Sequence, residues 1–110
     1  MADSNYSALT EAVYYILLSL YTPLHGYGII QYVEEISNGR VVLAPGTLYG
    51  ALSTLQEKEL IKPVNTESNS RKKEYLITKI GKQVIKEEID RLEELIENGK
   101  KTLEGELKWG

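Results

Sequence analysis

The sequence predicts a mainly α-helical fold with one small β-hairpin. Apolar residues recur at helical spacing in four segments of the 110-residue chain, whereas strand-like composition is confined to short runs. The predicted order is helix, helix, short strand, helix, hairpin, long helix, which leaves too few strands for an α/β sheet or a sandwich. Three compact helices followed by a hairpin is the order of a winged helix-turn-helix domain.

The first two helices are predicted from apolar spacing and from their end signals. The first runs from Ser7 or Thr10 to Tyr21, and Pro23 closes it. The second runs from His25 to Ser37, because Asn-Gly at 38–39 is a natural C-terminal stop. Its predicted inward stripe consists of Tyr27, Ile30, Val33 and Ile36.

The third helix and the hairpin are predicted from residues 41–77. Val41–Leu43 is a β-prone run long enough for one small strand. A third helix then opens at Pro45 and reaches Glu59, with an apolar face opposite a small, polar one. Strands are expected at 60–65 and 72–77, and Pro63 marks the first of them as an edge strand.

A long final helix is expected to make the protein a homodimer. Thr78 can cap this helix, which runs to Asn98 or, past an interruption at Gly99, to Leu107. We therefore divide the chain into a winged domain (1–77) and a dimerisation helix (78–110). The alternative is that the apolar stripe packs back on its own domain. The stripe has coiled-coil spacing and consists of Ile85, Ile89, Leu92, Ile96 and Leu103.

Composition restricts the class of protein. The chain has no cysteine, no apolar run of membrane-spanning length and no readable signal peptide, so we expect a soluble cytoplasmic protein. The formal net charge is -3, but residues 61–82 hold six basic and two acidic side chains, a local charge of +4. A local positive patch suits a phosphate backbone, although charge alone fits a solvated hairpin equally well.

The expected DNA-binding residues lie on the third helix and on the hairpin, or wing. In a helix-turn-helix the second helix of the pair enters the major groove with its N-terminal end foremost. That face lacks arginine and asparagine, so we expect few direct base contacts and more reliance on backbone and shape. Tyr49 fits a DNA contact and a packing role at the helix–wing junction equally well. The full set is Pro45, Gly46, Thr47, Tyr49, Gly50, Ser53 and Thr54 on the helix, and Ser70, Arg71, Lys72 and Lys73 on the wing.

Several motifs resemble the PadR family of bacterial transcriptional regulators. They are the segments LHGYGI at 24–29, PGTLYGAL at 45–52, LQEKELI at 55–61 and RKKEYLIT at 71–78, in order and with matching spacing. The length and single terminal helix resemble the short subfamily, which implies a homodimeric repressor of a double-stranded DNA operator. The chain departs from the family pattern at Gly50, where proline is usual, and at Glu59, where glycine is usual. The wing also lacks the usual Gly-Arg-Pro.

The resemblance also implies a small hydrophobic effector bound between the terminal helices of the dimer. The aromatic residues available there are Tyr6, Tyr14, Tyr15 and Trp109. Residues at such positions are also common in cores and interfaces.

An enzyme is not expected. His25 has no ligand partner nearby, the glutamate pairs are adjacent on helices and point apart, and no phosphate-binding loop is present. We therefore expect no catalytic residue, metal or cofactor. The alternative function is a winged-helix module that binds protein and lacks specific DNA binding, which the acidic overall charge would favour.

Overall fold

The computed structural model describes residues 8–64 and 73–109, with side chains as far as residue 105. It confirms a mainly helical fold with a small antiparallel sheet and a long C-terminal helix. The tip of the wing, including Ser70, Arg71 and Lys72, lies outside the described residues. The elements are α1 (Glu11–Ser19), β1 (Leu24–His25), α2 (Gly26–Ile36), α3 (Pro45–Glu57), β2 (Ile61–Val64), β3 (Glu74–Ile77) and α4 (Lys79–Trp109).

The sheet has three strands in the order β1-β3-β2, and both pairings are antiparallel. Leu24 in β1 and Pro63 in β2 lie on opposite sides of Tyr75 in β3. Pro63 therefore lies on an edge strand, as predicted, where its missing N–H removes no ladder bond. The predicted strand at Val41–Leu43 is wrong, because that segment is irregular and the third strand is β1.

Local capping explains where the helices begin and end. The Thr10 hydroxyl accepts a hydrogen bond from the Val13 amide at the start of α1. At the start of α2, Nδ1 of His25 accepts one from the Gly28 amide at 3.2 Å, as the sequence indicated. The α2 helix ends in a Schellman motif, in which Asn38 has a φ of 55° and the Gly39 amide donates to the Glu34 carbonyl.

A single apolar core joins all the elements. Its members come from every helix and from both long strands, and they are nearly inaccessible to solvent. They are Ile16, Leu17, Leu20, Ile29, Val33, Leu43, Leu48, Leu52, Leu55, Leu60, Ile61, Tyr75, Ile77, Val84 and Ile85.

The inward face of α2 differs from the predicted stripe. Tyr27 and Ile36 are exposed, at 65% and 42%, whereas Ile29 and Val33 are fully buried. Gly26 is buried as well, so the face that contacts the core runs through 26, 29 and 33. Gly26 lies beneath the Tyr49 side chain of α3, and helical spacing alone contains no information about that contact.

The α4 helix continues without interruption through Gly99 to Trp109, so the longer of the two end points that the sequence left open is the nearer one. Only its first two turns pack in the core, through Val84 and Ile85. The carboxylate of Glu88, which is 6% exposed, accepts two hydrogen bonds from Arg91 at 2.9 and 2.6 Å. These hydrogen bonds, helped by the nearby Leu9 backbone, hold the pKa of Glu88 below its usual value.

The turn after α3 contains a strained residue. Glu59 has a φ of 64°, and the Leu60 amide donates to the Leu55 carbonyl at 3.0 Å, which completes a Schellman motif. A side chain with a Cβ in this left-handed conformation costs about 1–2 kcal/mol. Glycine adopts the left-handed conformation without this cost, although it loses more chain entropy on folding.

We therefore expect Glu59→Gly to stabilise the protein by about 1 kcal/mol in urea unfolding followed by circular dichroism. Lys58→Gly is the matched control, because Lys58 has an ordinary φ of -82° and should gain nothing. Equal effects of the two substitutions, or a loss of stability in Glu59→Gly, would show that the turn at Glu59 is not strained.

Candidate nucleic-acid interface

The α3 helix presents two unlike faces. Leu48, Leu52 and Leu55 are buried against the rest of the domain. All seven helix residues predicted to bind DNA lie on the exposed side. Together they form one continuous face. They are Pro45, Gly46, Thr47, Tyr49, Gly50, Ser53 and Thr54.

The N-terminal end of α3 is open to solvent and has no side-chain cap. The N-cap residue, Ala44, offers no side-chain oxygen, and Pro45 occupies the first turn. The first backbone bond of the helix runs from the Leu48 amide to the Ala44 carbonyl, so the amides of Gly46 and Thr47 precede it. Such amides, at the positive end of the helix dipole, suit a phosphate oxygen.

Small side chains allow close approach along the rest of this face. A Cβ placed on Gly46 or Gly50 would meet no other atom within 4 Å. The Thr54 hydroxyl donates to the Gly50 carbonyl at 3.2 Å and keeps its lone pairs as acceptors. Hydroxyl groups and bare backbone can bond phosphates, but they discriminate weakly between bases.

The base of the wing adds positive charge beside α3. Lys73 precedes β3 and Lys62 lies on β2, and both side chains are exposed. The ammonium of Lys73 lies 5.9 Å from the ring centroid of Tyr75, within the range of a cation–π contact. Arg71 and Lys72 come directly before Lys73 in the sequence, outside the described residues.

Tyr49 is partly exposed and partly packed. Its side chain is 50% exposed. Its phenol end lies directly over Gly26, the first residue of α2. Burial, with a smaller contribution from Tyr49, raises the pKa of Tyr75.

The residues predicted for dimerisation are divided between two environments. Ile85 is buried in the core of its own chain, and Leu92 is half-buried. Ile89, Ile96 and Leu103 are exposed along the outer part of α4.

The residues predicted for an effector are only partly described. Tyr14 and Tyr15 are half-buried on α1, with ring centroids 5.9 Å apart. Burial and the nearby Glu88 carboxylate raise the pKa of Tyr14. Tyr6 and the side chain of Trp109 lie outside the described residues.

The structure also shows features that the sequence did not indicate. An open groove of about 530 Å³ lies between the end of α1 and α2. Its lining includes Leu18, Tyr21, Tyr32 and Glu35. Neither Tyr14 nor Tyr15 is part of that lining. The role of Gly26 beneath Tyr49 was also missed, because the two residues are 23 positions apart.

Within the described ranges no helix is long and apolar enough to span a membrane, and no group of three or more acidic or histidine side chains could hold a metal.

The fold and the exposed face of α3 define a winged helix-turn-helix protein. The model of the transcriptional regulator PadR-like family matches residues 15–87, which is more than half of the chain, so the protein belongs to this family. The family consists of transcriptional regulators, which are not enzymes.

Individual relatives agree with this assignment. The transcriptional regulator YqjI of Escherichia coli (strain K12) is 33% identical over 69 residues, which are 63% of this chain and 32% of that protein. An uncharacterised 37.1 kDa protein in a Streptomyces fradiae transposon is 39% identical over 66 residues, 60% of this chain and 18% of its own length. The chain thus spans about a third or less of the curated relatives it matches.

Solved structures show the same fold. A PadR family transcription regulator from Clostridium difficile R20291 superposes with a TM-score of 0.71 at 22% identity, covering 86% of this chain and 99% of that one.

Gly50 provides a test of close approach by α3. Alanine is about 1 kcal/mol better than glycine in a helix interior, and nothing in the domain obstructs its methyl group. If this face lies against a duplex, the same methyl group enters the interface. We expect Gly50→Ala to raise the melting temperature and to weaken DNA binding about three- to tenfold, measured by fluorescence anisotropy. A stabilised variant with unchanged affinity would contradict close approach at this position.

Proposed function

We propose that the protein is a dimeric, DNA-binding transcriptional repressor that recognises a palindromic operator. The observation that carries this proposal is the exposed face of α3, which is small, rich in hydroxyl groups and flanked by the wing cations. Membership of a family of transcriptional regulators supports it. In this proposal residues 1–77 bind double-stranded DNA and residues 78–110 hold the dimer together, in the cytoplasm.

The DNA-binding step divides between α3 and the wing. The first turn of α3 enters the major groove, where the free amides of Gly46 and Thr47 meet a phosphate. The cations of the wing, including Lys73 and the neighbouring Arg71 and Lys72, follow the backbone next to it. Because α3 carries few side chains that read bases, DNA shape contributes much of the specificity.

The dimer follows from the exposed stripe on α4. Ile89, Ile96 and Leu103 lie on one side of a helix whose outer turns touch nothing else in the described chain. A second copy would cover this stripe, and an isologous pair would present two α3 helices to two half-sites.

An effector would act through the contact between α1 and α4. Tyr14 and Tyr15 lie on α1, which contacts α4, and the carboxylate of Glu88 on α4 contributes to the raised pKa of Tyr14. A flat hydrophobic ligand bound between the terminal helices would favour one separation of the two α3 helices and thereby change operator affinity.

DNA binding is tested first by fluorescence anisotropy with duplex from immediately upstream of the protein's own gene, against a scrambled duplex, over a salt series. We expect tight binding to the native duplex alone, weakening steeply with salt as condensed counterions are released. If genome-wide selection also returns no preferred duplex, the domain is instead a protein-binding module.

Charge reversal identifies the contribution of the wing. We expect Lys72→Glu/Lys73→Glu to weaken operator binding about 100-fold or more, because attraction to phosphates becomes repulsion. The matched control is Lys100→Glu/Lys101→Glu, which makes the same charge change on the outer part of α4 and should have a much smaller effect. Equal losses in both variants would show that net charge, not the wing, determines affinity.

Dimerisation is tested by sedimentation equilibrium. We expect Ile96→Asp, which places a charge in the proposed seam, to raise the dimer dissociation constant about 100-fold or more. Leu95→Asp is the matched control, because Leu95 is 51% exposed against 56% for Ile96 but lies about 100° away around the helix. A wild-type monomer, or equal effects of the two substitutions, would refute the proposed seam.

A further inference from the structure

Tyr49 and Gly26 form a contact that fits only a glycine. A Cβ built on Gly26 would lie 2.8 Å from Cζ of Tyr49 and closer still to its hydroxyl oxygen. Any other residue at 26 therefore displaces the ring or α2. Gly26 is the first residue of α2 and directly follows β1, so the ring of Tyr49 connects α3 to both elements.

The Gly26 side of this contact lies beside the base of the wing. Gly26 directly follows β1, and β1 pairs with β3, with Leu24 opposite Tyr75 and His25 opposite Glu74. The ammonium of Lys73, the residue before β3, lies 5.9 Å from the Tyr75 ring centroid. The ring of Tyr49 therefore packs against the residue that follows the strand paired with the base of the wing.

We propose that Tyr49 is a positioning residue that fixes the wing relative to α3, and that Gly26 leaves the space in which the end of its ring packs. This inference deepens the proposed DNA-binding function and rests on it. Tyr49 acts through the wing cations, whose separation from α3 must match the spacing of phosphates beside the major groove. The ring suits this role because an aromatic side chain has only two side-chain torsions and transmits its position rigidly.

The geometry favours this role over base recognition. A side chain that reads bases must project freely, whereas the functional end of Tyr49 is held against the backbone of Gly26. The outer end of β3 is the part of the wing nearest this contact, because Glu74 lies opposite His25, the residue before Gly26. A displacement of the ring would therefore move the base of the wing more readily than the core.

The test uses a double-substitution cycle measured by operator anisotropy over a salt series. We expect Gly26→Ala to weaken binding about tenfold and to lower the slope of log affinity against log salt by about one to two, as wing–phosphate contacts are lost. Tyr49→Phe alone should bind within about threefold of the wild type, because the ring remains. Gly26→Ala/Tyr49→Phe should regain part of the loss, because the hydroxyl oxygen nearest the new methyl group is gone while Cζ remains close to it.

A background without the wing charges distinguishes positioning from direct contact. In Lys72→Gln/Lys73→Gln protein, Gly26→Ala and Tyr49→Ala should each cost less than about twofold further, since the groups they position are already neutral. Undiminished losses in this background would overturn the proposal and show that Tyr49 contacts DNA itself. A Tyr49→Phe loss as large as that of Tyr49→Ala would do the same.

A measurement without DNA separates this inference from the proposed function. In nuclear magnetic resonance spectra of the free protein, Gly26→Ala should shift the ring signals of Tyr75 and the amide of Lys73, and Gly26→Ala/Tyr49→Phe should partly restore them. The control is Tyr27→Ala, which removes a 65% exposed ring next to Gly26 and should leave the Tyr75 and Lys73 signals unchanged. Failure to bind any operator would reject the proposed function, whereas unchanged Tyr75 signals in Gly26→Ala would reject the positioning role.

Discussion

The fold depends on a junction at the end of β3, where three hydrogen bonds connect distant segments. The Ile77 amide donates to the Leu20 carbonyl at 2.8 Å, and the Thr78 amide donates to the Leu60 carbonyl at 3.0 Å. The Thr78 hydroxyl donates to the Glu59 carbonyl at 2.7 Å and accepts from the Gly81 amide at 3.0 Å. Gly81 permits this approach, since a Cβ there would lie 2.6 Å from a side-chain carbon of Ile77 and nearer still to the Leu60 carbonyl. The end of α1, the start of β2 and the start of α4 are therefore fixed by one another.

Around this junction the molecule has two surfaces for its two proposed tasks, DNA binding and dimerisation. A single core takes the inner faces of α1, α2 and α3 and only the first turns of α4. The outer face of α3 is therefore left with small polar residues, and the outer turns of α4 are left with an uncovered apolar stripe. In a chain of 110 residues one core cannot cover both surfaces, so each is available to a partner.

Much of this architecture could be predicted from local chemistry. The cap at Thr10, the stop at residues 38–39, the start of α3 at Pro45 and the edge position of Pro63 all follow from side-chain hydrogen bonds or backbone restrictions that act within a few residues. The exposed face of α3 followed from helical spacing alone. The strand predicted at 41–43 failed because β-branched composition favours a strand only where another strand lies alongside, and none does.

The sequence by itself determined the order of the helices and the hairpin, the two faces of α3, the apolar stripe of α4 and the family to which the chain belongs. Tertiary structure decided which side of α2 is buried, that β1 completes the sheet, and that Ile85 belongs to the core of its own chain. It also placed the ring of Tyr49 on Gly26. The physical reason is range: caps, turns and periodicity act between residues a few positions apart. The rotation of a helix about its axis and the place where a side chain packs depend on surfaces that meet only when the core forms.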